Sequence, residues 1–252
     1  MRIAGLSFLL LLLSGAALAG DGDQFLKGAP VQLQADKAYI LLRTDVPKDQ
    51  FAVDIVFVRT LTTDELHEAE QLRDREPRAA MASNVASLWW RDPYVEAEGG
   101  STYLMSLLPG HYVIAGQGYG PPHGFLYADK SNGRMGTCLC LGTVAFDAKA
   151  GTITDLGTVL SARTDKPIPT PELAGYERDI DTGSVPIAMG LRPSSPETPV
   201  PDQLKALPRV AADYHAAGPF PNYFGTLIDR MAPVAGVLGY DKDGHVLDLA
   251  PK

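Results

Sequence analysis

A two-residue alternation of apolar and polar side chains returns again and again between residues 31 and 160, cut at short intervals by Asp, Pro and Gly. In an extended chain successive side chains point to opposite faces, so each run specifies one buried face and one that is less so. The runs fall at 31–35, 38–43, 51–59, 87–91, 94–97, 102–108, 111–115, 137–146 and 152–160. In 51–59, Phe51, Val53, Ile55 and Phe57 share a face, while Ala52 and Asp54 begin the other, which turns apolar at Val56 and Val58. One face is core and the second is partly covered. Pro109-Gly110 sits between two such runs and predicts a type II turn that sends the chain straight back, and residues 147–151 form a loop of hairpin length. The pattern predicts an all-β protein, an antiparallel β-sandwich of about seven or more strands.

One segment breaks the pattern. Thr62 stands three residues before Glu65, a capping-box spacing, and Leu66, Ala69 and Leu72 recur among charges until Pro77. Residues 62–78 are therefore expected to form a single exposed helix. Residues 164–208 carry nine prolines and no sustained period, and are expected to be a linker or arm. Beyond it, 210–217 is expected as a short helix, and 234–240 with 245–249 as a hairpin around Asp241-Lys242-Asp243-Gly244. So short a tail cannot hold a large core, so 209–252 is expected to pack on the sandwich domain of residues 20–163.

The first residues have the build of an export signal. Arg2 precedes an apolar stretch at 6–13 and the small-x-small site Ala17-Leu18-Ala19, which predicts a signal peptide of residues 1–19 and a periplasmic or secreted protein. No later run of 18 apolar residues follows, so no transmembrane segment is expected after cleavage. The net charge of −8, with no Lys/Arg cluster, argues against nucleic acid as a partner.

Residues 101–115, Ser-Thr-Tyr-Leu-Met-Ser-Leu-Leu-Pro-Gly-His-Tyr-Val-Ile-Ala, followed by Gly118-Tyr119, resemble the "LPPGxYxL…GY" hairpin of transthyretin-like, carboxypeptidase-regulatory-type β-sandwiches. Glu98-Gly99-Gly100 stands where that family usually has an Asp-x-x-Gly turn. Gly142-Thr143-Val144-Ala145-Phe146, Gly151 and Leu156-Gly157 are similar to a segment found in a group of bacterial envelope proteins that carry such a hairpin. The resemblance implies a seven-stranded sandwich without catalytic residues, an accessory, adhesive or ligand-binding module.

Few residues point to chemistry. Trp89, Trp90, Tyr94 and Tyr119 are the candidate ligand-binding set, since rings turned outward from a strand can stack on a sugar or enter a partner's pocket. Cys138 and Cys140 fall on one face of the run at 137–146. A regular strand holds such positions about 6.6 Å apart, too far for easy bridging, which leaves buried thiols, a bridge at an irregularity, or a metal site completed by His123 and His111. Residues 116–124 are Gly-rich but lead into Pro121-Pro122 instead of a helix, so a phosphate loop is not expected. No G-x-S-x-G occurs, His67-Glu68 is not completed as H-E-x-x-H, and Asp241-x-Asp243-Gly244 lacks the remaining calcium-loop ligands. The reading is a non-catalytic binding or structural module of the bacterial envelope, with an envelope protein or glycan as partner and no cofactor. The alternatives are a metal- or redox-handling protein using Cys138, Cys140 and His123, and an envelope hydrolase whose carboxylates meet from distant strands.

Overall fold

The computed structural model describes residues 23–45, 53–61, 85–89, 93–97, 100–119, 135–164, 167–176, 187–222 and 227–251. The signal peptide expected at residues 1–19, Trp90, His123 and the helix expected at 62–78 lie outside these. The described chain is all β, and none of its helices is long and apolar enough to cross a membrane. Its strands are β1 Gln24–Phe25, β2 Ala38–Thr44, β3 Val53–Arg59, β4 Val85–Trp89, β5 Val95–Ala97, β6 Gly100–Leu107, β7 Gly110–Tyr119, β8 Met135–Cys138, β9 Thr143–Ala148, β10 Ile153–Arg163, β11 Ile187–Arg192, β12 Arg209–Ala211, β13 Tyr214–Ala217, β14 Leu227–Ile228, β15 Leu238–Tyr240 and β16 Val246–Asp248.

Two seven-stranded sheets stack face to face. The first runs β1-β6-β2-β10-β11, with β5 beside β6 and β12 beside the start of β10. The second runs β13-β9-β7-β3-β4, with β8 continuing the β9 side of β7 and β14 beside β8. Between the layers lie Ile40 and Leu42 of β2, Tyr103 and Met105 of β6, Ile55 and Phe57 of β3, Ile114 of β7, Val144 and Phe146 of β9, and Val159 of β10. Ile55 and Phe57 are the positions that the two-residue period in 51–59 assigns to one face. Phe146 sits at the centre, edge-on to Phe57 and Tyr214 and stacked on Tyr112, with ring centroids 5.9 to 6.1 Å away. The outer face of the first sheet is covered too: Tyr39, Leu41, Leu104 and Ile153 pack with Tyr94 and Leu204.

Several local expectations are corrected. Residues 31–35 alternate but join no ladder; Val31 and Leu33 tuck against the outer cluster while Gln32 and Gln34 face outward. Alternation reports which side is buried, not whether the backbone is paired. Pro109-Gly110 is a corner between layers, since β6 belongs to the first sheet and β7 to the second. Gly110 has φ +154°, far from the roughly +80° of a type II turn, and a Cβ there would come within 2.9 Å of Arg59 Cδ. The loop from β9 to β10 likewise crosses between sheets instead of closing a hairpin. The run at 137–146 is split into β8 and β9 by a turn at residues 139–142.

The Pro-rich segment contributes β11, whose Ile187, Met189 and Leu191 enter the interlayer core while Ala188 packs outward with Leu160 and Leu173. A strand buried on both faces shows no alternation, which hid it. Residues 210–217 form strands in place of the expected helix. Tyr214 points into the core and His215 outward along the ladder to β9, so tertiary pairing overrides the helix propensity of the alanines. The hairpin is present as β15 and β16. Met231, Val234 and Leu238 are buried in the shared core, so the tail is part of the sandwich.

Candidate functional site

The site begins with the row of residues crossing β1, β6 and β2 on the outer face of the first sheet. The Ser106 N–H donates to the Asp23 carbonyl at 2.8 Å, and Ser106 faces Tyr39 across the next ladder. The extended segment before β2 then crosses this row. The Gln34 N–H donates to the Tyr39 hydroxyl at 2.9 Å, which fixes the segment at that height, and the Phe25 ring leans on Tyr39 with centroids 6.1 Å apart. A cleft of about 430 Å³ remains, lined by Asp23, Phe25, Pro30, Gln32, Gln34, Lys37, Tyr39 and Ser106. That is the size range of small-ligand sites.

Its chemistry is mixed and balanced. One carboxylate, one ammonium, two amides and a hydroxyl surround an aromatic and prolyl wall. Among the described residues, the side chains of Asp23, Gln32, Gln34, Lys37 and Ser106 carry no hydrogen bond or ion pair. These donors and acceptors are free to serve a ligand. The sequence reading missed all of them; the available signal was the alternation of Gln32 and Gln34 with Val31 and Leu33, which the structure leaves exposed and partly buried respectively.

A second polar cluster is structural. Asp155 is fully buried on β10, where the register slips by one residue against β2. Its carboxylate takes Arg43 Nη1 at 2.7 Å, Arg43 Nη2 at 3.2 Å, Arg209 Nη1 at 2.6 Å and the Gly157 N–H at 3.1 Å. Arg43 Nε donates in turn to the Pro199 carbonyl at 2.6 Å. Burial pushes the Asp155 carboxyl up, but the two guanidiniums and the Gly157 amide outweigh it and hold it below the usual carboxylate range. Gly157 has φ +82°, and a Cβ there would collide with Arg192 O and Ser194 N, so the irregularity requires glycine. The cluster ties β2, β10, β12 and the Pro-rich segment together. A charge inside each of two otherwise apolar strands, Arg43 and Asp155, was the sequence signal for it.

The aromatic candidates are not gathered into one platform. Tyr94 is 2% exposed and packs in the outer cluster of the first sheet, so its ring is not available for stacking. Trp89 and Tyr119 belong to the second sheet, opposite Asp54 and Val53 on either side of β3. Cys138 and Cys140 are joined as a disulfide with Cα atoms 5.1 Å apart, the bridge at an irregularity, so neither sulfur is a thiolate ligand here. His111 is exposed at the other end of β7 and its Nδ1 lies 2.9 Å from Asp147 Oδ1. Cys138 faces Gly116, five positions further along β7, so His111 lies roughly 16 Å along the strand from that pairing.

His215 Nδ1 lies 3.1 Å from Asp248 Oδ2, and this bond raises the His215 pKa. Asp248 Oδ1 also accepts the Ala216 N–H at 3.1 Å, so the pair clasps the C-terminal hairpin to β13. Asp241, Asp243 and His245 gather on the exposed hairpin loop, where Asp241 Oδ1 accepts the N–H groups of Asp243 and His245 at 2.9 and 2.8 Å. Those bonds close the loop. Compared with protein-family models, with curated proteins and with solved structures, the chain matches none.

Proposed function

We propose that this chain is an exported, non-catalytic recognition module of the bacterial envelope, and that it holds the end of a saccharide in the cleft between residues 30–37 and the outer face of the first sheet. The observation that carries the reading is the convergence of five unpaired polar side chains around Phe25 and Tyr39. A sugar offers hydroxyls that both donate and accept, together with an apolar ring face, and this lining answers both needs without net charge. The Arg2 to Ala19 leader and the Cys138–Cys140 bridge favour an oxidising compartment outside the cytoplasm. The likeness of the segment from Ser101 to Tyr119 to accessory β-sandwich modules points the same way.

Calorimetric titration of the mature chain with envelope oligosaccharides tests the proposal. Saturable binding is expected, and Lys37→Ala should weaken it by about tenfold, the effect of losing one charge-assisted hydrogen bond of roughly 1.5 kcal/mol. Turnover of a hydrolase substrate with no saturable saccharide binding would contradict it.

A further inference from the structure

The disulfide sits where the chain departs from its own sequence pattern. Residues 137–146 alternate as one strand, yet the structure breaks them into β8 and β9 at the turn that Cys138 and Cys140 close. A bridge spanning so few residues restricts the unfolded chain least, so its effect has to be local. That local effect is visible. The turn receives the C-terminal segment through four backbone hydrogen bonds: Phe220 N–H to Cys140 O at 3.0 Å, Asp229 N–H to Cys138 O at 2.8 Å, Leu141 N–H to Asp229 O at 3.0 Å and Met231 N–H to Gly142 O at 2.8 Å. Leu227 and Ile228 run parallel to Thr137 and Cys138 beside them, and Met231, Ala232 and Val234 follow into buried positions.

We infer that the Cys138–Cys140 bridge is a redox-sensitive latch that holds residues 220–222 and 227–231 on the second sheet. Its Cα atoms are 5.1 Å apart, whereas an extended strand would set them about 6.6 Å apart. Once the sulfurs are separate thiols, no covalent link holds residues 138–140 at this spacing, the turn between the fixed registers of β8 and β9 on β7 relaxes, and the carbonyls of Cys138 and Cys140 turn away from Asp229 and Phe220. The reductant is a dithiol. One of its thiolates attacks a sulfur of the bridge, forming a mixed disulfide and releasing the other cysteine as a thiolate that takes up a proton. Its second thiolate then attacks its own sulfur in the mixed disulfide, leaves as an internal disulfide and frees the remaining cysteine, also protonated. Two electrons pass to the bridge and the dithiol is oxidised. Both cysteines are buried, at 0% and 2% exposure, so attack requires a local opening of the turn.

Amide hydrogen exchange on the full chain, before and after treatment with a small dithiol under native conditions, tests the latch. Exchange at Leu141, Phe220, Asp229 and Met231 should rise at least tenfold while β3 and β7 keep their protection, and a Cys138→Ser/Cys140→Ser double variant should reproduce this without reductant. Unchanged protection at the four amides, a loss spread evenly over both sheets, or a bridge that the dithiol leaves intact would each overturn the inference.

Discussion

Asp155→Ala is expected to destabilise the protein by about 3 to 5 kcal/mol, because it leaves Arg43 buried without its counter-charge. At the size of this sandwich that corresponds to a fall in Tm of roughly 10 °C. Arg209→Ala should cost clearly less, since its side chain is 33% exposed and water can replace its partner. The pH dependence has a definite sign. The folded-state pKa of Asp155 is depressed, so its contribution is complete above the unfolded value of about 3.9 and disappears as pH falls through the folded value. Wild type should therefore lose part of its stability below about pH 4, and the alanine variant should lack that part of the acid limb. Thermal melts of the three proteins from pH 3 to 7 give the comparison.

Phe146→Ala should be of the same order, about 3 to 5 kcal/mol, through the cavity it opens between the sheets. The ring is 1% exposed and touches aromatic rings from β3, β7 and β13, so no single neighbour can close the space. Phe146→Leu should recover much of the loss, because it restores volume without the ring contacts. Urea denaturation should show the midpoint falling with its slope unchanged.

The all-β class and most strands of the sandwich up to residue 160 were legible because short runs rich in Val, Ile, Leu, Tyr and Phe are bounded by Asp, Pro and Gly, even where, as in β2, both faces are buried. The layer to which a strand belongs was not legible. Pro109-Gly110 marks a reversal equally well in a hairpin and at a corner, and the difference lies in partners distant in sequence. The second half was read least well, since β11 is buried on both faces and β13 is rich in alanine. The cleft escaped notice for a related reason: Asp23, Lys37 and Ser106 meet only through the pairing of β1, β6 and β2. Cys138 and Cys140 were legible as a pair on one face, and the turn that lets them bridge was the open alternative the structure adopts.

Residues 209–222 and 227–251 complete the same two-layered core that the earlier strands begin, since Tyr214, Met231, Val234 and Leu238 are buried in it and Arg209 binds Asp155. Urea unfolding of the full chain and of a chain ending at Pro208, followed by both circular dichroism and tryptophan fluorescence, tests it most directly. The account predicts one coincident, cooperative transition for the full chain and no cooperative transition for the shortened one. A shortened chain that unfolds cooperatively at the full chain's midpoint would contradict it.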